Sequence, residues 1–281
     1  MSHIERISQH IWIQHAEHET DRPLLAAIVG ERRTLLLDAG NSPAHAAQFR
    51  SKLQQNQIPL PEMMVLTHWH WDHTFGMSEW KIPAIANRRT ATRLSQLSGL
   101  SWTDESLNEL IHLGVINETT ARHIQLEYSD NRDITIMEPD LLFDSKLTLD
   151  LGGVVCELEH IGGDHAEDSC LLFVREDKTI FLGDALGPRI YGGPYRYSSG
   201  IFLQLMERIL GYSAQTYVES HARPVSASDF HEDISRYVQL ARYVDSFGGD
   251  EKRITEAMKQ YLQVEELPNE FTKAITWFLT S

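Results

Sequence analysis

Four side chains able to bind a metal ion fall within six consecutive residues: His68, His70, Asp72 and His73, in the run Met63-Met64-Val65-Leu66-Thr67-His68-Trp69-His70-Trp71-Asp72-His73. His68 and His70 are two apart, so in an extended segment they point the same way and can grip one ion. Asp72 and His73 lie just beyond, where the chain must turn, and can swing toward a second. Imidazole nitrogens with a carboxylate oxygen suit zinc, and iron and manganese accept similar sets. A solvated histidine-rich loop is the plainer alternative. Against it stand the apolar run leading straight into the cluster and the two tryptophans, Trp69 and Trp71, that suggest a walled site.

Such a cluster needs a scaffold, and two kinds of segment alternate over the first two-thirds of the chain. Runs of β-branched residues or leucine, bounded by Gly, Asp or Asn, predict strands at 24–29, 34–37, 63–67, 82–86, 146–151, 154–160, 170–174, 179–182 and 217–219. Many are apolar on consecutive positions, as in strands covered on both faces. Ser42-Pro43 predicts a helix start, with Ser as N-cap and Pro in the first turn, and Ala46, Phe49, Arg50 and Leu53 share the face that follows.

Between about 87 and 133 the pattern predicts a helical insertion of two or three helices, one of them opening at Thr103 before an acidic turn. Phe202, Leu205, Met206 and Ile209 mark another amphipathic helix. The tail, about 228–281, reads as helices: Ile234, Tyr237, Val238 and Ala241 in one, Ile254, Met258, Tyr261 and Leu262 after Gly248-Gly249, and Phe271, Ile275 and Phe278 beyond Pro268. The tail either caps the core or forms a homodimer interface; its periodicity fits both. One α/β domain over 1–281 is the simplest reading.

Composition narrows the function. Hydrophobic residues make up 42% and charged residues 23% of the 281, which is ordinary for a folded globular chain. Acidic residues outnumber basic ones, 40 to 25, for a formal charge of −15. That field opposes polyanions, so no nucleic-acid partner is expected. No run approaches the roughly 18 apolar residues of a membrane span, and the first 22 residues are broken by histidines and charges. A soluble, cytoplasmic protein without a membrane partner is expected. Cys156 and Cys170 are too few for a disulfide framework and read as reduced, buried thiols.

The run from His68 to His73 matches the H-x-H-x-D-H motif of the metallo-β-lactamase superfamily, and further segments resemble that family in the right order. Leu35-Leu36-Leu37-Asp38-Ala39-Gly40 is similar to an early strand ending in a structural aspartate. Gly162-Gly163-Asp164-His165 resembles the segment delivering a third histidine, and Phe181-Leu182-Gly183-Asp184 the strand end with a bridging aspartate. Val218-Glu219-Ser220-His221 resembles the last strand with its terminal histidine, although Ser220 and Ala222 stand where relatives often have glycine. The resemblance implies a four-layer αββα sandwich. It also implies a first metal on His68, His70 and His165, a second on Asp72, His73 and His221, and Asp184 between them.

Two dications a few ångströms apart share a bridging water and lower its pKa toward neutrality. The expected function is therefore hydrolysis, with two divalent ions, zinc by default, and Asp72 as the catalytic group that orients the nucleophile and takes its proton. The metal-bridging hydroxide would attack a carbonyl (ester, thioester, lactone or amide) or phosphoryl group of a small-molecule substrate. Arg189, Tyr191, Tyr195 and Tyr197, in a loop rich in glycine and proline, are candidate substrate-binding residues. The position three residues after Asp184 is Gly187, where lactonases of acyl-homoserine lactones resembling this family place tyrosine. A di-iron oxidoreductase on the same fold is a second reading, but such enzymes carry glutamate where this chain has His70. A metal-binding module without activity is a third.

Overall fold

The computed structural model describes residues 4–280. Strands β1 (Ile4–Arg6), β2 (Ile11–Gln14), β3 (Leu25–Val29) and β4 (Thr34–Leu37) form an antiparallel meander. Helix α1 (Pro43–Gln55) then crosses over to β5 (Met63–Val65), which runs parallel to β4. A parallel neighbour requires such a crossover, because no tight turn can reverse the chain twice. Ser42 caps α1, its side chain accepting from the His45 amide, and Pro43 opens the helix as predicted; a cap of this kind contributes about 1 kcal/mol.

After β5 come two short helices, α2 (Trp71–Thr74) and α3 (Met77–Trp80), and the parallel strand β6 (Ala84–Asn87). The predicted insertion follows as three helices, α4 (Arg88–Leu97), α5 (Asp104–His112) and α6 (Glu118–Tyr128), the second capped by Thr103. Strand β7 (Leu141–Phe143) completes a seven-stranded sheet in the order β1 to β7. Strands β8 (Lys146–Asp150), β9 (Val155–His160), β10 (Cys170–Val174) and β11 (Thr179–Gly183) make a second meander. Helix α7 (Ser199–Leu210) leads to β12 (Thr216–Glu219), parallel to β11, and β13 (Val225–Ser226) closes a six-stranded sheet. Helices α8 (Ala227–Ser246), α9 (Glu251–Leu262) and α10 (Asn269–Leu279) form the tail.

The apolar strands bury both faces because alternate residues serve different layers. Leu35 and Leu37 of β4 join Val65, Ile85, Leu158, Leu172, Phe181 and Val218 in the core between the sheets. Leu36, between them, turns outward with Met64 and Leu66 onto Phe49, Leu53, Trp80 and Leu94 of the helices. On the far side Leu171, Ile180, Leu182 and Tyr217 pack against Phe202, Leu205, Leu240, Ile254, Phe271 and Ile275. The tail thus covers the outer face of the second sheet, and the layers stack as the expected αββα sandwich. The insertion has its own core, in which Trp71 and Phe75 of the metal-motif segment meet Leu97, Trp102, Leu107, Leu110 and Ile124.

Strands β1, β2, β7 and β13 have no counterpart in the sequence reading. β13 has two residues, and β1 and β7 have three, two of which are exposed in each, too short to show a period. β2 ends on Gln14, a buried amide that donates to Gln48 and accepts from Lys52, so its polar partner lies in another element. Cys156 and Cys170 are free and buried. Among the described residues no helix is long and apolar enough to cross a membrane.

Candidate metal centre

The motif residues converge at one edge of the two sheets, beyond the C-terminal ends of the parallel strands β4, β5, β11 and β12. β5 ends at Val65, the chain bends at Thr67 and again at Trp69, and His70 stands as N-cap of α2 with φ −57° and ψ 150°. Asp72 and His73 therefore occupy the first turn of α2, the turn that the spacing required. His165 comes from the loop between β9 and β10, Asp184 directly follows β11, and His221 lies two residues past β12.

Two groups result. Potential ligand atoms of His68, His70 and His165 lie within 4.8 Å of one another, and so do those of Asp72, His73, Asp184 and His221. In the first, His70 Nδ1 and His165 Nε2 are 2.9 Å apart. In the second, Asp72 Oδ2 is 3.0 Å from His73 Nε2 and 3.1 Å from His221 Nε2. Asp184 Oδ2 touches both groups, at 3.4 Å from His73 and His221 and 3.5 Å from His165. It is the carboxylate that lies near both groups.

Neighbouring groups aim the rings. Asp38, buried and in the left-handed region at φ 57°, accepts from the Thr67 amide at 2.8 Å and from His73 Nδ1 at 2.8 Å. His165 Nδ1 donates to the Pro188 carbonyl at 3.2 Å, leaving Nε2 for the centre. Such partners fix the tautomer and orientation of metal-binding histidines. Gly187 packs against the same ring: a Cβ there would sit 2.8 Å from His165 Nδ1, so any side chain at this position makes the ring or its loop shift.

Burial and charge separate the two groups. Burial first, then the neighbouring imidazoles, push His68 and His70 well below the usual histidine range. Burial opposes charge on His73 and His221 too. Asp72 and Asp184, with Asp38 beside His73, nevertheless hold them well above that range. Burial likewise works against ionisation of Asp72 and Asp184, and His73 and His221 overcome it. His68 Nε2 is buried without a hydrogen-bond partner, a cost of about 1–3 kcal/mol, whereas His73 Nε2 faces the Asp72 and Asp184 carboxylates at 3.0 and 3.4 Å. A divalent cation among these nitrogens and carboxylates removes that cost, and the mixed imidazole and carboxylate donor set suits zinc, iron or manganese. The residues fit a metal pair.

Two cavities open beside the centre. The larger, about 770 Å³, includes Trp69, His70, His165, Arg189, Tyr191 and Tyr197 in its wall. The smaller, about 200 Å³, is bounded by Asp72, Asp184, His221, Tyr191 and Tyr195. Tyr191 stands between them, its ring 4.7 Å from His70 and its hydroxyl 3.0 Å from Thr120 Oγ1. Tyr197 donates its hydroxyl to the Leu186 carbonyl and stacks on Phe278, whereas Tyr195 is partly exposed beside Trp277. Asp168 accepts from Thr90 at 2.7 Å and Ser169 donates to the Ala166 carbonyl, which ties the His165 loop to α4.

Sequence reasoning missed Asp21 and His123. The Asp21 carboxylate lies 3.7 Å from His221 Nδ1 and 3.4 Å from His123 Nδ1, and both residues line the smaller cavity. Asp21 sits at φ 58° in a turn whose partners are about 100 and 200 residues away, so no local spacing announces it. Burial, and then Asp72, raise its pKa. His10 and His15 pair with Asp177 and Glu5, and His160 bonds to the Glu167 carbonyl.

The likeness to known proteins agrees with this geometry. The chain is 23% identical over 244 residues to the acyl-coenzyme A thioesterase MBLAC2 of Gallus gallus, covering 82% of this chain and 83% of that protein. Its fold is similar to a metallo-beta-lactamase from Pontibacter korlensis, with a TM-score of 0.59, 19% identity, and 86% of this chain and 99% of the other covered. It is also similar to the sec-alkylsulfatase Pisa1 from Pseudomonas sp., with a TM-score of 0.65 and 15% identity; 98% of this chain matches 47% of that enzyme. A family profile described as the metallo-beta-lactamase superfamily matches residues 25–221, a span that holds all seven ligand-type residues of the two groups. The chain belongs to the metallo-beta-lactamase superfamily.

Proposed function

We propose that this protein is a dinuclear metal-dependent hydrolase acting on a carbonyl or phosphoryl group of a small molecule, with thioesters the first class to test. The observation that carries this reading is the pair of ligand groups, each within 4.8 Å, joined through Asp184. His68, His70 and His165 would hold one cation, Asp72, His73 and His221 the other, and Asp184 both. When bound, the cations supply an activated water and polarise the scissile group.

The chain's own residues do the rest. Asp72 orients the attacking water and takes its proton, since His73 and His221 keep the carboxylate ionised. Asp38 and the Pro188 carbonyl hold His73 and His165 in register, so little reorganisation is needed as charge develops. Arg189, Tyr191 and Tyr195 line the approach and bind the substrate, and Tyr197 shapes the wall. The thioesterase activity named for the Gallus gallus relative supports placing thioesters first.

The test is a panel of esters, thioesters, lactones, lactams and phosphodiesters assayed with and without chelator. Turnover that disappears on chelation and returns with zinc is expected. A metal-loaded protein inert across the panel, or one that consumes oxygen with bound iron, would reject the reading.

A further inference from the structure

Three imidazoles of the centre are steadied on the ring atom turned away from it: His73 by Asp38, His165 by the Pro188 carbonyl, and His68 by Thr67 Oγ1, 3.1 Å from its Nδ1. His221 is placed differently. It lies two residues past β12, and its side chain is 28% exposed where that of His73 is fully covered. Its Nε2 faces Asp72 and Asp184. Its Nδ1 faces the Asp21 carboxylate, 3.7 Å from Oδ1.

Asp21 belongs to a loop that is tied down at several points. Glu17 and Arg22 exchange backbone hydrogen bonds of 2.9 Å and close a loop of the residues between them. Inside it Asp21 takes φ 58°, a left-handed backbone that few residue types adopt readily. Just beyond, the Leu24 amide donates to the Ser220 carbonyl at 2.7 Å, which fastens this segment to the residue before His221.

The helical insertion holds the loop from the other side. Glu127 of α6, 2% exposed at its side chain, accepts from Arg22 Nη2 at 2.7 Å and Nε at 3.0 Å. It also accepts from Thr20 Oγ1 at 2.6 Å and from the Ser42 hydroxyl. About one turn earlier on α6, His123 Nδ1 lies 3.4 Å from Asp21 Oδ2. The two oxygens of one carboxyl thus face two rings, one from the insertion and one from the metal centre. Neutral or ionised, a carboxyl keeps an acceptor oxygen for an imidazole N–H. A partner on one ring nitrogen fixes the orientation in which the other meets a metal.

Resting on the dinuclear reading for what the centre holds, we infer that Asp21 is a positioning residue for the second ion: it steadies His221 through Nδ1 so that Nε2 stays turned to Asp72 and Asp184, and the insertion steadies Asp21 through Glu127 and His123. The insertion therefore contributes to the second ligand group without supplying a ligand.

The experiment compares the parent with Asp21→Gly and Asp21→Asn. Glycine adopts a left-handed backbone without strain, so Asp21→Gly removes the carboxyl and spares the turn. Asparagine also tolerates that backbone and keeps an acceptor oxygen. By competition with a chromophoric chelator, Asp21→Gly is expected to bind the second zinc ion about ten- to a hundredfold more weakly, with the first ion unchanged and the cobalt spectrum of the second ion altered. Asp21→Asn stays close to the parent. Equal weakening of both ions in Asp21→Gly, unchanged affinity and spectrum, or an Asn variant as impaired as the Gly variant would overturn the inference. Neither measurement involves turnover, so a protein that shows the expected affinities but hydrolyses nothing keeps the inference and rejects the hydrolase reading. The same three proteins are compared in excess chelator through the nuclear Overhauser contact between the His221 and His73 rings, whose centroids are 5.9 Å apart. That contact is expected to weaken in Asp21→Gly and to persist in Asp21→Asn. A parent that takes up no second ion rejects the dinuclear reading, and the ring contact then decides the inference: its loss in Asp21→Gly alone supports it, and its persistence in all three proteins overturns it.

Discussion

His68, His70 and His165 are three buried or nearly buried imidazoles with no carboxylate of their own, whereas Asp72, His73, Asp184 and His221 set two carboxylates against two imidazoles. The difference shows in their protons. Burial keeps His68 and His70 neutral, and His68 Nε2 is left with no partner. His73 and His221 hold their protons because Asp72 and Asp184 face them. The second group sets carboxylates against its imidazoles, whereas in the first His70 and His165 meet only each other and His68 Nε2 has no partner. Buried polar groups tolerate such a state only where something else completes them. Adjoining residues of one short motif are thus divided between a group that needs a metal and a group that is also coherent without one.

Substitutions at the junction should have the largest effect. Asp184→Ala removes the only carboxylate that reaches both groups among the described residues, and metal affinity is expected to fall by more than about a hundredfold at each, since even outer partners of ligands are worth ten- to a hundredfold. His68→Ala is expected to abolish loading of the first group while the second keeps its ion, read by titration with a chromophoric chelator. Equal loss from both groups in His68→Ala would erase the distinction between them.

A smaller effect is expected at Gly187, where an added Cβ would meet the His165 ring. Gly187→Ala should turn that ring and weaken the first group about ten- to a hundredfold, leaving the second unchanged. Cobalt substitution checks this, because the visible spectrum reports the ligand geometry of each ion. An unaltered spectrum would mean that the loop yields instead of the ring.

The smallest expected effect lies behind the first group, at Asp168, whose pKa burial raises to about 6. A carboxyl that ionises near 3.8 in the unfolded chain and near 6 in the folded one costs stability as pH rises between those values. Below 3.8 both states are protonated and no cost exists; above about 6 it is complete. Asp168→Asn removes the titration, so the stability of the variant relative to the parent should climb through that window and then level off. Urea unfolding in excess chelator, at pH values on either side of the window, measures it. A constant difference would mean that Asp168 ionises normally.

The legible part of this protein was its local part. The ligand run from His68 to His73 announces itself because a few residues at a strand end and one helical turn place its four side chains. The insertion and tail show through their caps and periodicity, as at Thr103 and along Phe202, Leu205, Met206 and Ile209. His165, Asp184 and His221 needed the resemblance to family motifs at strand ends. Asp21 and His123 gave no signal, because only the tertiary fold brings residues so far apart in sequence into one cavity.

The central claim is that the two groups together cage a pair of cations, and elemental analysis of the purified protein tests it most directly. Dialysed against metal-free buffer and counted per chain, the protein is expected to retain two divalent ions, falling to one in His68→Ala. A parent protein that holds no stoichiometric metal, even after exposure to zinc, iron and manganese, would contradict the account.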